Sequence, residues 1–145
     1  VGRISVGLQE KLTLGNLDAS RDWGYAKDYV NGMWMMMQHD TPDDWVLATG
    51  KTQTVREFAE ASFKYVDLNW EDYVITSDKY LRPNEVDYLL GDSTKARETL
   101  GWTPEVDFKE LVKIMVEQDI IEAKKDYSLI KEGLILPTWE HPTIN

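Results

Sequence analysis

The chain has 145 residues, 42% of them hydrophobic, with six Trp, no Cys and a net charge of −10 from 16 basic and 26 acidic side chains. That length suits one domain with a packed core, and the acid surplus excludes a nucleic-acid partner, since phosphate backbones are bound by surplus Lys and Arg. No apolar run reaches the ~18 residues of a membrane span. Without Cys there are no disulfides and no thiolate metal sites, which fits a reducing, cytoplasmic setting.

In chain order, VGRISVGLQEKL carries no capping signal and reads as the tail of a helix begun elsewhere, which points to a portion of a longer protein. LTLGN, Leu12 to Asn16, alternates and ends in Gly-Asn, as a short strand entering a turn does. Ala26, Tyr29, Val30, Met33 and Met37 fall at helical spacing and predict a helix from about Trp23 to Gln38. With Trp34 and three consecutive Met it is apolar on more than one side, and is expected in the core. WVLATG reads as a strand buried on both faces and closed by Gly50. Thr54 and Glu57 form a capping box, and Val55, Phe58, Ala59, Ser62, Phe63 and Val66 line one face of the helix that follows.

DYVIT, Asp72 to Thr76, predicts another strand. DSTKARETLGW predicts a compact helix capped by Asp92 or Ser93 and stopped by a left-handed Gly101. Asp107 with Glu110 starts the last helix, whose buried stripe is Phe108, Leu111, Val112, Met115, Val116 and Ile120. Residues 126–145, ending in LPTWEHPTIN, are expected to be a loosely ordered tail. Strands alternate with helices, so the class is α/β with mixed α+β character. The strands are too few to close a sheet covered on both faces, and WVLAT lacks an evident parallel neighbour.

The chemistry concentrates in KYLRPNEVDYLLGD, Lys79 to Asp92. Pro83 fixes its own torsion and pushes Arg82 toward an extended conformation, presenting the guanidinium fork in one direction. That fork suits a phosphate or a carboxylate. A turn at Pro-Asn brings Glu85 beside Arg82, and a carboxylate, an acceptor only, suits a vicinal diol such as a ribose. The plain alternative is an internal ion pair closing a loop. A second guanidinium, Arg21, stands in a polar loop ahead of the Met-rich helix; its plain alternative is a surface pair with Asp18 or Asp22.

GNLDASRDWGYAKDYV, VLATGKTQTVREFAEASF and RPNEVDYLLGDSTKARETLGW resemble, in that order, the C-terminal part of the GDP-mannose 4,6-dehydratase family, within the extended short-chain dehydrogenase/reductase superfamily. The likeness covers about Val1 to Lys125, and GNLDA-x-RDWG-x-A-x-DYV is much narrower than the superfamily pattern. It implies the C-terminal part of that fold without most of the Rossmann domain, with 1–125 as the substrate-binding portion. It further implies conversion of GDP-mannose to GDP-4-keto-6-deoxymannose with bound NADP. Arg21 and Arg82 would hold the GDP diphosphate and Glu85 the ribose, with the strand near Lys11 to Leu14 along the nucleotide.

No G-x-G-x-x-G occurs in the sequence, and no Tyr and Lys stand in the family's catalytic context. The expectation is therefore half a site, with no catalytic residue and no cofactor held by this chain alone. A metal site is not expected either, since His39 and His141 stand far apart in polar surroundings. The expected partners are GDP or GDP-mannose and the N-terminal Rossmann domain. Without that domain, apolar surface at Val46, Leu47 and the Met33–Met37 helix invites a homo-oligomer. Other readings are a different nucleotide-sugar epimerase or dehydratase, or a non-catalytic binding or assembly module.

Overall fold

The computed structural model describes residues 1–81 and 84–136. Its elements are α1 (Gly2–Ser5), β1 (Leu12–Leu14), β2 (Ser20–Arg21), α2 (Ala26–Met37), β3 (Gln53–Thr54), α3 (Val55–Lys64), β4 (Val74–Thr76), α4 (Thr94–Leu100) and α5 (Phe108–Lys131). One-turn 3-10 helices at Trp70–Asp72 and Asp78–Tyr80 flank β4. The fold is mixed α/β: β1 runs parallel to β4, with Leu12 opposite Val74, and β2 runs antiparallel to β3, with Arg21 opposite Gln53. Among the described residues no helix is long and apolar enough to cross a membrane.

Local signals act where the sequence places them. The Thr54 hydroxyl accepts from the Glu57 N–H while the Glu57 carboxylate accepts from the Thr54 N–H, so both donors at the start of α3 are satisfied. Asp107 starts α5 by accepting from the Glu110 N–H at 2.9 Å. Gly101 stops α4 at φ +70°, a left-handed torsion that costs glycine nothing. Ser93 precedes α4 without capping it, because its buried hydroxyl donates to the Ala48 carbonyl at 2.8 Å. Asp92 takes the neighbouring contacts instead, accepting from the Thr94 hydroxyl and N–H, and these bonds hold its carboxyl below the usual range.

The core lies where α3 and α5 pack together, with Ala59, Phe63, Leu111, Val112 and Val116 buried. Phe63 is fully buried and stacks on Tyr73 with ring centres 5.5 Å apart, which ties α3 to the segment entering β4. Trp102 is the second anchor: 1% exposed, it donates its indole N–H to the Asp28 carbonyl at 2.8 Å. The buried Asp28 carboxylate then accepts from the Glu105 and Val106 N–H groups, both at 3.1 Å. One side chain of α2 thereby fixes the approach to α5.

Three expectations need correction. WVLAT is not a strand, because no described strand runs beside it; the Ala48 carbonyl and the Thr49 N–H and carbonyl go instead to the side chains of Ser93, Asp22 and Arg97. The stripe of α2 is not core: the helix packs through Asp28 and Gly32, while Val30, Met33 and Trp34 are exposed and Met37 is 81% exposed. No described element covers that face, which is where a missing domain was expected to leave apolar surface. The third concerns the tail, since α5 runs unbroken past 125 to Lys131, with Ala123 buried beyond the predicted stripe. Residues 137–145, including His141, lie outside the described residues.

Replacing Asp28 strips two backbone N–H groups of their acceptor at a buried site. Asp28→Ala is expected to lower the unfolding free energy by about 2–4 kcal/mol in urea denaturation, against about 1 kcal/mol for the half-buried cap change Thr54→Ala.

Candidate functional site

Two of the predicted substrate residues meet. β2 ends in Arg21, whose guanidinium pairs with the Glu85 carboxylate across 64 positions of sequence. The same group donates to the Ser20 carbonyl at 2.8 Å and the Val86 carbonyl at 2.6 Å. Both partners of the pair are about four-fifths buried, so the interaction is better shielded from water than a surface pair. Neither acid proposed as the plain alternative pairs with Arg21. Asp18 bridges to Arg56 at 2.8 Å, and Asp22 turns to other donors. The third predicted residue, Arg82, lies with Pro83 outside the described residues.

Backbone bonds hold the Glu85 segment against β2. The Ser20 N–H donates to the Asp87 carbonyl at 2.6 Å, and the Leu89 N–H donates to the Ser20 carbonyl at 3.0 Å. Ser20 and Tyr88 thus form a parallel bridge, on the side of β2 away from β3. The β3 side is closed in turn by the Val55 N–H, which donates to Ala19 at 3.1 Å. A two-residue strand carries little pairing of its own, and its position comes from being held on both edges.

Asp22, the next residue, was overlooked as a site element because it looked like a counter-ion for Arg21. Its two oxygens accept from the Thr49 N–H and hydroxyl, the Gly50 N–H and the Gly91 N–H. It also helps burial raise the pKa of the Tyr29 phenol: burial is the larger cause, and the carboxylates of Asp22 and Asp28 add to it. Nothing in the sequence hints at this, because the donors stand 27 to 69 positions away along the chain.

A cleft of about 420 Å³ opens nearby, lined by Trp23, Thr49, Lys51, Gln53, Arg97 and the start of α5. Trp23 packs on Phe58 at 4.8 Å, and its buried indole N–H has no partner among the described residues. Gln53 joins this cleft to Arg21 through the β2–β3 pairing, but neither Arg21 nor Glu85 lines it. Among the described residues no group of three or more His, Cys, Asp or Glu could hold a metal ion.

The elements and their order are those of the C-terminal portion of an extended short-chain dehydrogenase/reductase. A structure of RMD from Pseudomonas aeruginosa complexed with NADPH superposes with a TM-score of 0.74 at 20% identity, covering 83% of this chain and 40% of that one. A dTDP-glucose 4,6-dehydratase from Bacillus anthracis in complex with NAD gives 0.69 at 14% identity, covering 87% and 39%. The sequence is more specific than the fold. The model of the GDP-mannose 4,6 dehydratase family matches residues 1–115, and the chain belongs to that family. It is 56% identical over 133 residues to GDP-mannose 4,6 dehydratase 2 of Arabidopsis thaliana, and 47% identical over 137 residues to the GDP-mannose 4,6 dehydratase of Homo sapiens. These matches cover 92% and 83% of this chain but only 36% and 37% of the two relatives.

Arg21 holds the Glu85 segment through one ion pair and one carbonyl. In Arg21→Ala the Leu89 amide, whose acceptor is the adjacent Ser20 carbonyl, is expected to exchange with deuterium several-fold faster than in the parent chain. Unchanged exchange would show that the backbone bonds suffice without the guanidinium.

Proposed function

We propose that this chain is the nucleotide-binding part of a GDP-mannose 4,6-dehydratase, the enzyme that makes GDP-4-keto-6-deoxymannose from GDP-mannose. Arg21 and Arg82 hold the diphosphate, and Glu85 accepts from the ribose hydroxyls. The observation that supports this reading is the pairing of Arg21 with Glu85: a guanidinium and a carboxylate chosen for adjacent parts of one nucleotide stand side by side. A guanidinium carries five donors, and the three contacts of Arg21 described above leave capacity for a ligand oxygen. Glu85 likewise has lone pairs beyond the one facing Arg21.

The role of these residues is binding energy and alignment. Interactions with the remote GDP portion hold the hexose in a reactive position without touching the reacting carbons. NADP supplies the hydride chemistry of the family's reaction. The sequence has no Gly-rich dinucleotide loop with which to bind it, so the cofactor and proton-transfer groups belong to parts of the family that this chain does not span. The exposed apolar face of α2 and the exposed Val46 are where we place the N-terminal Rossmann domain, in the whole enzyme, in the cytoplasm. With that face uncovered, the chain forms homo-oligomers.

A second reading is favoured by the same ion pair: Arg21 and Glu85 neutralise each other and merely close a loop, in a module that binds no nucleotide. Calorimetric titration separates the two. The chain is expected to bind GDP in preference to UDP, and Arg82→Ala to weaken that binding by about 2 kcal/mol with little change in unfolding. No GDP binding would establish the loop-closing role, and preference for UDP would shift the assignment to another nucleotide-sugar enzyme. Addition of GDP-mannose and NADP to this chain alone is expected to give no product.

A further inference from the structure

Asp22 touches none of the groups proposed to meet the nucleotide, yet it joins the two segments that carry them. On one oxygen it accepts from the Thr49 N–H at 2.9 Å and the Thr49 hydroxyl at 2.5 Å. On the other it accepts from the Gly50 N–H at 3.0 Å and the Gly91 N–H at 3.3 Å. A carboxylate offers about four lone-pair sites, so these four donors account for its capacity without any cation. Charge-assisted bonds to backbone N–H groups are short and directional, and they make a firm joint between loops.

The joint is backed by packing. A Cβ built on Gly91 would stand 2.2 Å from the Ala48 Cβ, so only glycine permits this approach. The Ala48 carbonyl takes the buried Ser93 hydroxyl at 2.8 Å, and the Thr49 carbonyl takes the Arg97 guanidinium at 2.9 Å. A continuous path therefore runs from α4 through residues 48–50 to Asp22, and from Asp22 to Gly91, six positions after Glu85. Ser20 holds the middle of that segment and Arg21 its start. Asp22 fixes its far end.

We propose that Asp22 is a positioning residue for the nucleotide site, setting where Glu85 stands relative to Arg21 so that diphosphate and ribose diol are met together. The inference rests on the reading of Arg21 and Glu85 given under Proposed function. It predicts a particular defect when Asp22 is changed. Every group that meets the ligand survives, but the carboxylate for the diol is no longer held in register with the guanidinium for the phosphates. The loss therefore falls on ligands that engage both.

The test compares GDP with 2′,3′-dideoxy-GDP, which lacks the diol, on the full 145-residue chain. The parent chain is expected to prefer GDP at least ten-fold. In Asp22→Asn the preference falls toward one, and the Thr49, Gly50 and Gly91 amides exchange with deuterium faster. Gly91→Ala, which pushes the same contact apart from the other side, is expected to lose the same preference and serves if Asp22→Asn does not fold. Equal weakening toward both ligands, with the preference kept, would reduce Asp22 to a stabiliser of the fold and overturn the proposal. Unchanged exchange of the three amides would overturn it whatever the ligands do. A parent chain with no preference for GDP over its dideoxy form would instead overturn the role given to Glu85.

Discussion

Three consecutive residues, Ser20, Arg21 and Asp22, carry the constraint on which the rest depends. Each holds a different part of the segment from Glu85 to Gly91: Ser20 through its backbone, Arg21 through its guanidinium, Asp22 through its carboxylate. That segment has little regular structure of its own. Tyr88, Leu89 and Leu90 are exposed, so burial does not hold it either. Polar contacts from one short strand decide where Glu85 stands, and with it whether a carboxylate and a guanidinium can address one ligand.

The frame behind this contact is held by ordinary packing and hydrogen bonds. Phe63 and Trp102 lock α3 and α2 to the remainder, and the buried Asp28 ties α2 to the approach to α5. Packing ends at the outer face of α2, where Val30, Met33, Trp34 and Met37 meet solvent. A helix that packs through Asp28 and Gly32 and leaves these large apolar side chains uncovered belongs to a chain that spans little more than a third of its relatives' length.

What the sequence disclosed follows the range of the forces involved. The helix starts at Thr54 and Asp107 and the stop at Gly101 were legible because caps act within three or four residues. WVLAT misled because its apolar run resembles a buried strand, while the groups that take its hydrogen bonds come from Asp22, Ser93 and Arg97, far away in sequence. Glu85 stands out by its chemistry and Arg21 by the family resemblance, but spacing could not show that the two pair. The pattern likewise hid the role of Asp22, since an acid beside an Arg reads as its counter-ion until the backbone donors are seen. α5 outran its predicted end because charged residues alternating with apolar ones after Lys124 suit an exposed helix as well as a tail.

A double-mutant cycle between Arg21 and Glu85 measures the central contact directly. Unfolding free energies of the parent, Arg21→Met, Glu85→Gln and the double variant give the coupling between the two side chains. For a pair this well shielded, a coupling of about 1 kcal/mol or more is predicted. Changes that add within about 0.3 kcal/mol would mean that the two groups do not meet in solution, and the convergent site would be lost with them.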